Sequence, residues 1–244
     1  MKAMILAAGL GTRLRPLTDD RPKALVEIAG STLLEITLER LRAFEFREVI
    51  INVHHFADKV VDYLKENNNF GMRIEISREE ILLDTGGGLK KAANFFLEDS
   101  EAIDTPFILH NVDVISTIDL RQMIRAHLDD QSLATLAVQD RETSRYLLFD
   151  EQLQLCGRRT ALDQTDEIVR PSEKLQPLAF SGIHVISPRL LNMISEEGAF
   201  SIIATYLRLA AQGEKIHAFR ADEYEWRDLG RPDDLLKAAH EMKK

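Results

Sequence analysis

The 244-residue sequence contains a single cysteine, Cys156, and no long hydrophobic run. One cysteine excludes a disulfide within the chain, and it excludes a zinc site that is built from several cysteines. The apolar start MKAMILAAG is too short for a membrane span or for the hydrophobic region of a signal peptide. We therefore expect a cytoplasmic protein that does not bind membranes.

An excess of positive charge is also lacking, because the net charge is −9 at pH 7. An acidic chain is a poor non-specific partner for nucleic acid or for an anionic membrane surface. The sequence shows no linker rich in Gly, Pro or Ser and no internal repeat. It therefore predicts one domain over residues 1–244, and it leaves a homo-oligomer open.

Apolar runs of strand length alternate with helix-periodic stretches through the first half of the chain. This alternation is typical of an α/β protein with a mostly parallel sheet and helices on both faces. Beyond Gln139 the pattern changes: residues 158–174 are polar, and we expect them to form a loop over the sheet. The predicted strands are residues 3–7, 49–53, 73–77, 107–112, 134–138, 146–149 and 178–186. The predicted helices are residues 33–44, 57–66, 88–96, 120–128, 188–195, 202–211 and 232–242.

The first predicted strand ends in a loop that carries a candidate anion site. Glycines in such a loop let backbone amides approach an anion closely, and nearby cations such as Lys23 neutralise its charge. A nucleoside triphosphate is therefore the predicted ligand. The loop residues that would bind it are Ala7, Ala8, Gly9, Gly11, Thr12 and Arg13.

The spacing of residues in this loop does not match two other phosphate-binding motifs. The dinucleotide fingerprint G-x-G-x-x-G requires a small residue at its sixth position, where this sequence has Leu14. A Walker A loop requires Gly-Lys-Ser/Thr after its first glycine, and the sequence lacks that triplet. The spacing therefore argues against a dehydrogenase and against a P-loop protein.

Two aspartates stand in settings that suit a magnesium ion. Asp113 ends the apolar run FILHNVD, and Asp228 lies in EWRDLGRP ahead of a glycine turn. Open α/β sheets bind ligands at the carboxyl ends of their strands, and Mg²⁺ takes one or two carboxylates together with water and phosphate. We expect Mg²⁺ as the cofactor, held by Asp113 and Asp228.

The string LAAGLGTRLRPL followed by RPKALVEIAG resembles the signature of the sugar-1-phosphate nucleotidyltransferases. Trp226, Asp228 and Gly230 match the late Trp-x-Asp-x-Gly motif of that family. Asp113 matches its central Gly-Asp motif, although Val112 stands where the glycine usually is and would leave a substrate less room. The resemblance implies a Rossmann-like three-layer α/β/α fold with a mixed, mostly parallel sheet. The hexapeptide repeats of a C-terminal β-helix, which longer relatives carry, are not found.

The resemblance also implies roles for individual residues. Arg13 and Lys23 would be catalytic, while the TGGG segment would read the nucleobase and most resembles the N-acetylmuramate-1-phosphate uridylyltransferase branch of the family. We expect its three glycines to precede a helix, so that a base packs against exposed backbone. The base-reading residues are Gly86, Gly87 and Gly88. The residues that would line the sugar site are Asn111, Arg145, Phe180, Ser181 and Gly182.

The reaction implied is transfer of a nucleoside monophosphate from a triphosphate, with UTP favoured and GTP next, to a sugar 1-phosphate. It would release pyrophosphate and yield a nucleotide sugar, which on the N-acetylmuramate branch is a cell-wall precursor. Two alternatives remain open at this point. One is a cytidylyltransferase that acts on phosphocholine or a phosphonate, and the other is a non-catalytic regulator that binds a nucleotide sugar.

Overall fold

The computed structural model describes residues 1–98, 105–160 and 165–241. Within these ranges, ten strands form one sheet, and two short ribbons pair β2 with β3 and β7 with β14. The strands are β1 (Lys2–Leu6), β2 (Glu27–Ile28), β3 (Ser31–Thr32), β4 (Glu48–Val53), β5 (Arg73–Arg78), β6 (Phe107–Asn111), β7 (Val114–Ser116), β8 (Ala134–Gln139), β9 (Arg145–Phe149), β10 (Leu155–Thr160), β11 (Thr165–Ile168), β12 (Gln176–Ile186), β13 (Ile216–Arg220) and β14 (Trp226–Asp228).

The sheet is mixed, with a parallel centre. Strands β6, β1, β4 and β5 run side by side in parallel, while β12 is antiparallel to β6 and to β8. Beyond β12, the order continues through β9 and β10 to β11 at the edge. The helices are α1 (Leu33–Ala43), α2 (Ala57–Glu66), α3 (Asp84–Lys91), α4 (Ala93–Leu97), α5 (Leu120–Asp129), α6 (Ile202–Ala211) and α7 (Pro232–Glu241).

Two hydrophobic cores lie on opposite faces of the sheet. Because side chains alternate along a strand, Ala3 and Ile5 of β1 enter one core and Met4 enters the other. Helices α1, α2, α5 and α7 cover the first core, and α3, α4 and α6 cover the second. The predicted three-layer α/β/α arrangement with a mixed, mostly parallel central sheet is therefore confirmed. No helix in the described residues is long and apolar enough to cross a membrane.

The prediction that residues 158–174 form a loop over the sheet is wrong for the first part of this segment. Strands β10 and β11 form an antiparallel pair there and extend the sheet at its edge. Arg158 lies opposite Glu167 and Arg159 lies opposite Asp166, and each pair is joined by side-chain hydrogen bonds of 2.6 Å. The polar composition misled the prediction, because cross-strand ion pairs rather than apolar side chains hold this pair together. Residues 161–164 lie outside the described ranges.

Other predicted elements are corrected in detail. The predicted helix 88–96 begins earlier, at Asp84, and is divided at Ala92 into α3 and α4. The predicted helix 188–195 is a 3-10 turn over Pro188–Met193. Strands β2, β3, β7 and β13 were not predicted, and residue 242 of the last predicted helix lies outside the described ranges.

Candidate active site

A cavity of about 360 Å³ opens at the carboxyl ends of β1 and β6. This is the edge at which parallel α/β sheets bind their ligands. The cavity brings together parts of the sequence that are far apart, among them the first three residues of the predicted triphosphate loop, the predicted catalytic lysine and one predicted metal ligand. It is lined by Leu6, Ala7, Ala8, Gly9, Lys23, Asn52, Leu82, Asp84, Thr85, Asn111, Val112, Asp113 and Ala199.

The loop after β1 requires glycine at position 11. Gly11 has a φ of 64°, which is a left-handed conformation that L side chains rarely adopt. A Cβ there would lie 2.9 Å from Thr18 Cγ2, and the Thr18 hydroxyl donates to the Gly11 carbonyl at 2.9 Å. Buried Leu14, whose amide donates to the same carbonyl, anchors the turn that follows. Leu14 is thus a packing residue, which is why a dinucleotide fingerprint does not fit here.

Lys23 lies at the centre of the cavity and is only 8% exposed. Its ammonium group forms an ion pair and hydrogen bond with the Asp113 carboxylate. The 3-10 turn that Lys23 begins packs against α1 and fixes the base of the side chain. A buried cation next to an anion-binding loop can neutralise phosphate charge without first losing a full hydration shell.

Asp228 is brought to Asp113 by the ribbon of β7 and β14. In that ribbon Asp228 lies opposite Val114, and the Leu229 amide donates to the Asp113 carbonyl at 2.8 Å. Burial raises the pKa of Asp228, and the negative charge of Asp113 raises it further, while Lys23 opposes the rise. Two carboxylates held together in this way are stabilised by a cation between them.

The donor set fits magnesium better than it fits zinc. Within residues 1–98, 105–160 and 165–241, no group of three or more His, Cys, Asp or Glu side chains could hold a metal ion. Zinc sites usually need three or four such ligands. Mg²⁺ is satisfied by one or two carboxylates when phosphate oxygens and water complete its octahedron, and Asp113 and Asp228 supply that number.

Arg13 lies next to these aspartates. A Cβ on Gly230 would lie 2.6 Å from Arg13 Nη2 and 2.7 Å from Asp228 Oδ1. The Gly230 amide donates to the same carboxylate oxygen at 2.8 Å. The glycine of the Trp-x-Asp-x-Gly motif therefore leaves room for the Arg13 guanidinium against the backbone. Thr12, like Arg13, is exposed at the rim and does not line the cavity.

Gly86, Gly87 and Gly88 lie inside α3 rather than in a loop before it, so the predicted exposed backbone is wrong. All three are buried. A Cβ on Gly86 would clash with the Phe200 ring at 2.3 Å, and one on Gly87 with the Gly198 carbonyl oxygen at 2.5 Å. The helix instead presents its first residues, Asp84 and Thr85, to the cavity. That these glycines read the base stays a prediction, and what they do in the fold is to allow close packing.

Gly88 packs against a buried hydrogen-bonded pair, Asn52 and Glu79, that the sequence did not reveal. Asn52 Nδ2 donates to Glu79 Oε1 at 2.7 Å, and the Asn52 carbonyl oxygen accepts from the Ala7 amide at 2.8 Å. The second Glu79 oxygen accepts from the Leu83 amide at 2.9 Å. The pair therefore ties the loop after β1 to the segment that begins α3. The one signal in the sequence is that Asn52 is a polar residue within the otherwise apolar run VIINV.

The predicted sugar-site residues are divided between two places. Asn111 lines the first cavity, and the backbone of Gly182, with a φ of 74°, packs against the Asn111 amide group. Ser181 is buried, and its carbonyl accepts from Trp226 Nε1 at 2.7 Å. Arg145 and Phe180 instead line a second cavity of about 600 Å³, formed with Tyr146 and parts of β10, β11 and α6.

Two further residues affect this region. Arg141 was not predicted; its guanidinium stacks on the Trp226 ring at 3.7 Å from the ring centre, and it donates to the Phe180 carbonyl at 2.8 Å. Burial lowers the pKa of Arg141. Val112 is 4% exposed and packs into the core covered by α1, so its side chain takes less space from the cavity than its sequence position suggested.

Comparison with known proteins agrees with this geometry. The family of nucleotidyl transferases matches residues 2–244. The chain is 35% identical to N-acetylmuramate alpha-1-phosphate uridylyltransferase of Caulobacter vibrioides, over 97% of this chain and 94% of that one. It is 30% identical to mannose-1-phosphate guanyltransferase of Yarrowia lipolytica over 97% of its own length, but it spans only 62% of that longer protein.

Solved structures show the same fold. The crystal structure of HddC from Yersinia pseudotuberculosis, complexed with GMP-PN, superimposes with a TM-score of 0.76 at 23% identity. The match covers 99% of both chains. A similarity at this level of identity establishes the fold alone. The family match over nearly all of the sequence establishes more: this chain belongs to the nucleotidyl transferase family.

Proposed function

We propose that the protein transfers a nucleoside monophosphate from a nucleoside triphosphate, with UTP favoured and GTP next, to a sugar 1-phosphate. The observation that carries this proposal is the cavity in which the glycine loop, Lys23 and Asp113 meet, with Asp228 beside them. The similarity to the uridylyltransferase extends over 94% of that relative, which favours uridine and N-acetylmuramate 1-phosphate. The product would then be a nucleotide sugar that serves as a cell-wall precursor.

The proposed chemistry is an in-line displacement at phosphorus. An oxygen of the sugar phosphate forms a bond to the α-phosphorus, and the bond from the α-phosphorus to the oxygen that bridges to the β-phosphate breaks. Pyrophosphate leaves with the electron pair of that bond. The nucleophile is already an anion near neutral pH, so a general base is not required, and positioning and electrostatics supply the rate enhancement.

Each residue of the site then has a role. Amides of the loop from Gly9 to Thr12 would bind the β- and γ-phosphates, and Arg13 would approach them from the rim. Lys23 would move from its pairing with Asp113 to bridge the α-phosphate and the incoming sugar phosphate. This movement reduces the repulsion between two anions, which is the main electrostatic obstacle to the reaction.

Magnesium completes the proposal. Asp113 and Asp228 would hold Mg²⁺, which when bound offsets the charge that develops on the α-phosphate and on the leaving pyrophosphate. The raised pKa of Asp228 is consistent with a carboxylate whose ionised form is stabilised when a cation binds. The Gly230 amide keeps that carboxylate oriented in the absence of the ion, and the positive charge of nearby Arg13 favours its ionised form.

The test is the release of pyrophosphate in the presence of Mg²⁺, with four nucleoside triphosphates crossed with a panel of sugar 1-phosphates. Lys23→Ala and Asp228→Asn should each reduce kcat about 100-fold or more, as the loss of a preorganised charge-stabilising group does in other enzymes. Arg125→Gln, which removes an exposed charge from α5, serves as the control. Turnover close to that of the wild type in either site variant would contradict these assignments.

To test the alternatives, phosphocholine is added to the same panel as an acceptor, and binding of nucleotide sugars is measured beside it. Phosphocholine with CTP as the productive pair would identify a cytidylyltransferase for a non-sugar acceptor. Binding of a nucleotide sugar without turnover of any pair would instead identify a regulator. Retention of Lys23, Asp113 and Asp228 in one place argues for an enzyme, since a binding protein does not need a paired carboxylate site for a metal.

A further inference from the structure

The second cavity, of about 600 Å³, adjoins the first but belongs to the edge of the sheet. Ala199 lines the first cavity and Ser201 lines the second, so a short segment before α6 separates them. On the other side, Phe180 of the second cavity precedes the Ser181–Gly182 backbone that packs against Asn111. A substrate whose phosphate lies at Lys23 can therefore extend a substituent towards the second cavity.

Three arginines line the second cavity, and in the described part of the chain they differ in whether an acidic side chain pairs with them. Arg158 is paired with Glu167 at 2.6 Å, and Arg159 is paired with Asp166 through two hydrogen bonds of 2.6 and 2.8 Å. Within the described part of the chain, the Arg145 side chain has no hydrogen bond, ion pair or ring contact. Among the described residues that line this cavity, Arg145 thus presents a guanidinium without an acidic partner, although the protein as a whole carries a net charge of −9.

The rest of the lining suits a sugar derivative. Tyr146 and Phe180 provide an aromatic wall, and the hydroxyls of Thr143 and Ser201 lie at the same cavity. Aromatic faces pack against the apolar faces of a sugar, while hydroxyls exchange hydrogen bonds with its polar groups. A free guanidinium adds a planar pair of donors, which matches a carboxylate.

We propose that Arg145 binds a carboxylate carried by the sugar, so that the protein selects acidic sugar 1-phosphates over their neutral counterparts. The proposal rests on the proposed function, because the sugar phosphate itself must bind at Lys23. It deepens that function by naming the residue that recognises the acidic group of the favoured substrate. N-acetylmuramic acid 1-phosphate and N-acetylglucosamine 1-phosphate are the matched probes, since they differ only in an ether-linked carboxylic acid.

The experiment measures kcat/KM for both probes, with UTP and Mg²⁺, in the wild type and in Arg145→Gln, Arg145→Lys and Arg125→Gln. In Arg145→Gln we expect the ratio of kcat/KM for the acidic probe to kcat/KM for the neutral probe to fall at least ten-fold. A loss of activity that is common to both probes does not change this ratio. Arg145→Lys keeps the charge but not the paired donors, so it should retain part of the ratio. Arg125→Gln removes an exposed charge on α5 and should leave the ratio unchanged.

Binding of both probes is measured in parallel by calorimetry, which separates this inference from the proposed function. Wild-type protein that binds the acidic probe more tightly through Arg145, yet transfers no nucleotide, refutes the proposed function and supports the inference. If the wild type turns over the probes and Arg145→Gln leaves the ratio of their kcat/KM values unchanged, the inference is refuted and the proposed function still stands. A wild type that neither binds nor discriminates between the probes refutes both.

Discussion

Gly88→Ala should destabilise the protein through the pair of Asn52 and Glu79, even though alanine favours a helix. The new Cβ would lie 2.8 Å from Asn52 Nδ2 and 2.9 Å from Glu79 Oε1. Neither side chain moves freely, because Asn52 is 2% exposed and Glu79 is 4% exposed, and each also accepts from a backbone amide. At least one of these hydrogen bonds must lengthen or break.

The magnitude follows from three contributions. Overpacking of a dense interior costs about 1–3 kcal/mol, and a weakened hydrogen bond to a carboxylate adds up to about 1.5–3 kcal/mol. Replacing glycine by alanine within a helix stabilises the folded protein by about 1 kcal/mol, because alanine has the higher helix propensity. We expect Gly88→Ala to lower the free energy of unfolding by about 2 kcal/mol, measured by urea denaturation. The affinity for UTP should also fall, because the pair positions Ala7 and Leu83.

A double-mutant cycle tests the cause. Asn52→Ala is destabilising by itself, but it removes the amide that the new Cβ would meet. In that background the cost of Gly88→Ala should fall to less than half. Gly87→Ala is the control, because its Cβ would meet the Gly198 carbonyl oxygen at 2.5 Å and its cost should be the same in both backgrounds. Equal costs of Gly88→Ala with and without Asn52 would refute the reasoning.

Three further predictions concern stability. Burial lowers the pKa of His110 and His127 to about 4 and that of His184 to about 3, so the unfolded state binds more protons below pH 6.5. The free energy of unfolding should therefore fall as the pH drops from 6.5 towards 4, by about 2 kcal/mol per histidine at pH 5; constant stability from pH 7 to 5 in urea titrations would contradict this. Gly11→Ala should lower the free energy of unfolding by about 1–2 kcal/mol, because alanine is strained at the positive φ of this position, and it should weaken UTP binding. An unfolding midpoint in urea like that of the wild type would show that this strain is absent. Thr32→Ala removes the capping box of α1 and should cost about 1 kcal/mol in urea unfolding, whereas Thr32→Ser should retain most of it.

The central layers could be predicted from the sequence because their signals are local. Strands β1 and β4 are largely apolar runs, β5 alternates polar and apolar residues, and α1 and α2 show helical periodicity, so each element can be recognised from its own sequence. Strands β10 and β11 lack that signal, since Arg158 and Glu167 pair across strands as charged residues. Short ribbons such as β7 with β14 are defined by their partners, which no single window of sequence shows.

The candidate site divides in the same way. The glycine loop, Lys23 and Asp113 were predicted, and the structure places them at one cavity. The close packing of the glycines in α3 was not predicted, because the sequence shows that a side chain is missing but not which neighbour occupies the space. Asn52 and Glu79 could not be paired in advance, since their contact depends on the register of β4 beside β5.

The ribbon of β7 and β14 has a consequence for synthesis of the protein. It draws Asp228 to Asp113 and Lys23, which are synthesised long before it. A nascent chain can form the glycine loop and the central strands, yet it lacks the second carboxylate until β14 leaves the ribosome. Premature termination anywhere before β14 would therefore yield a fragment able to collapse around its first strands but without the paired aspartates.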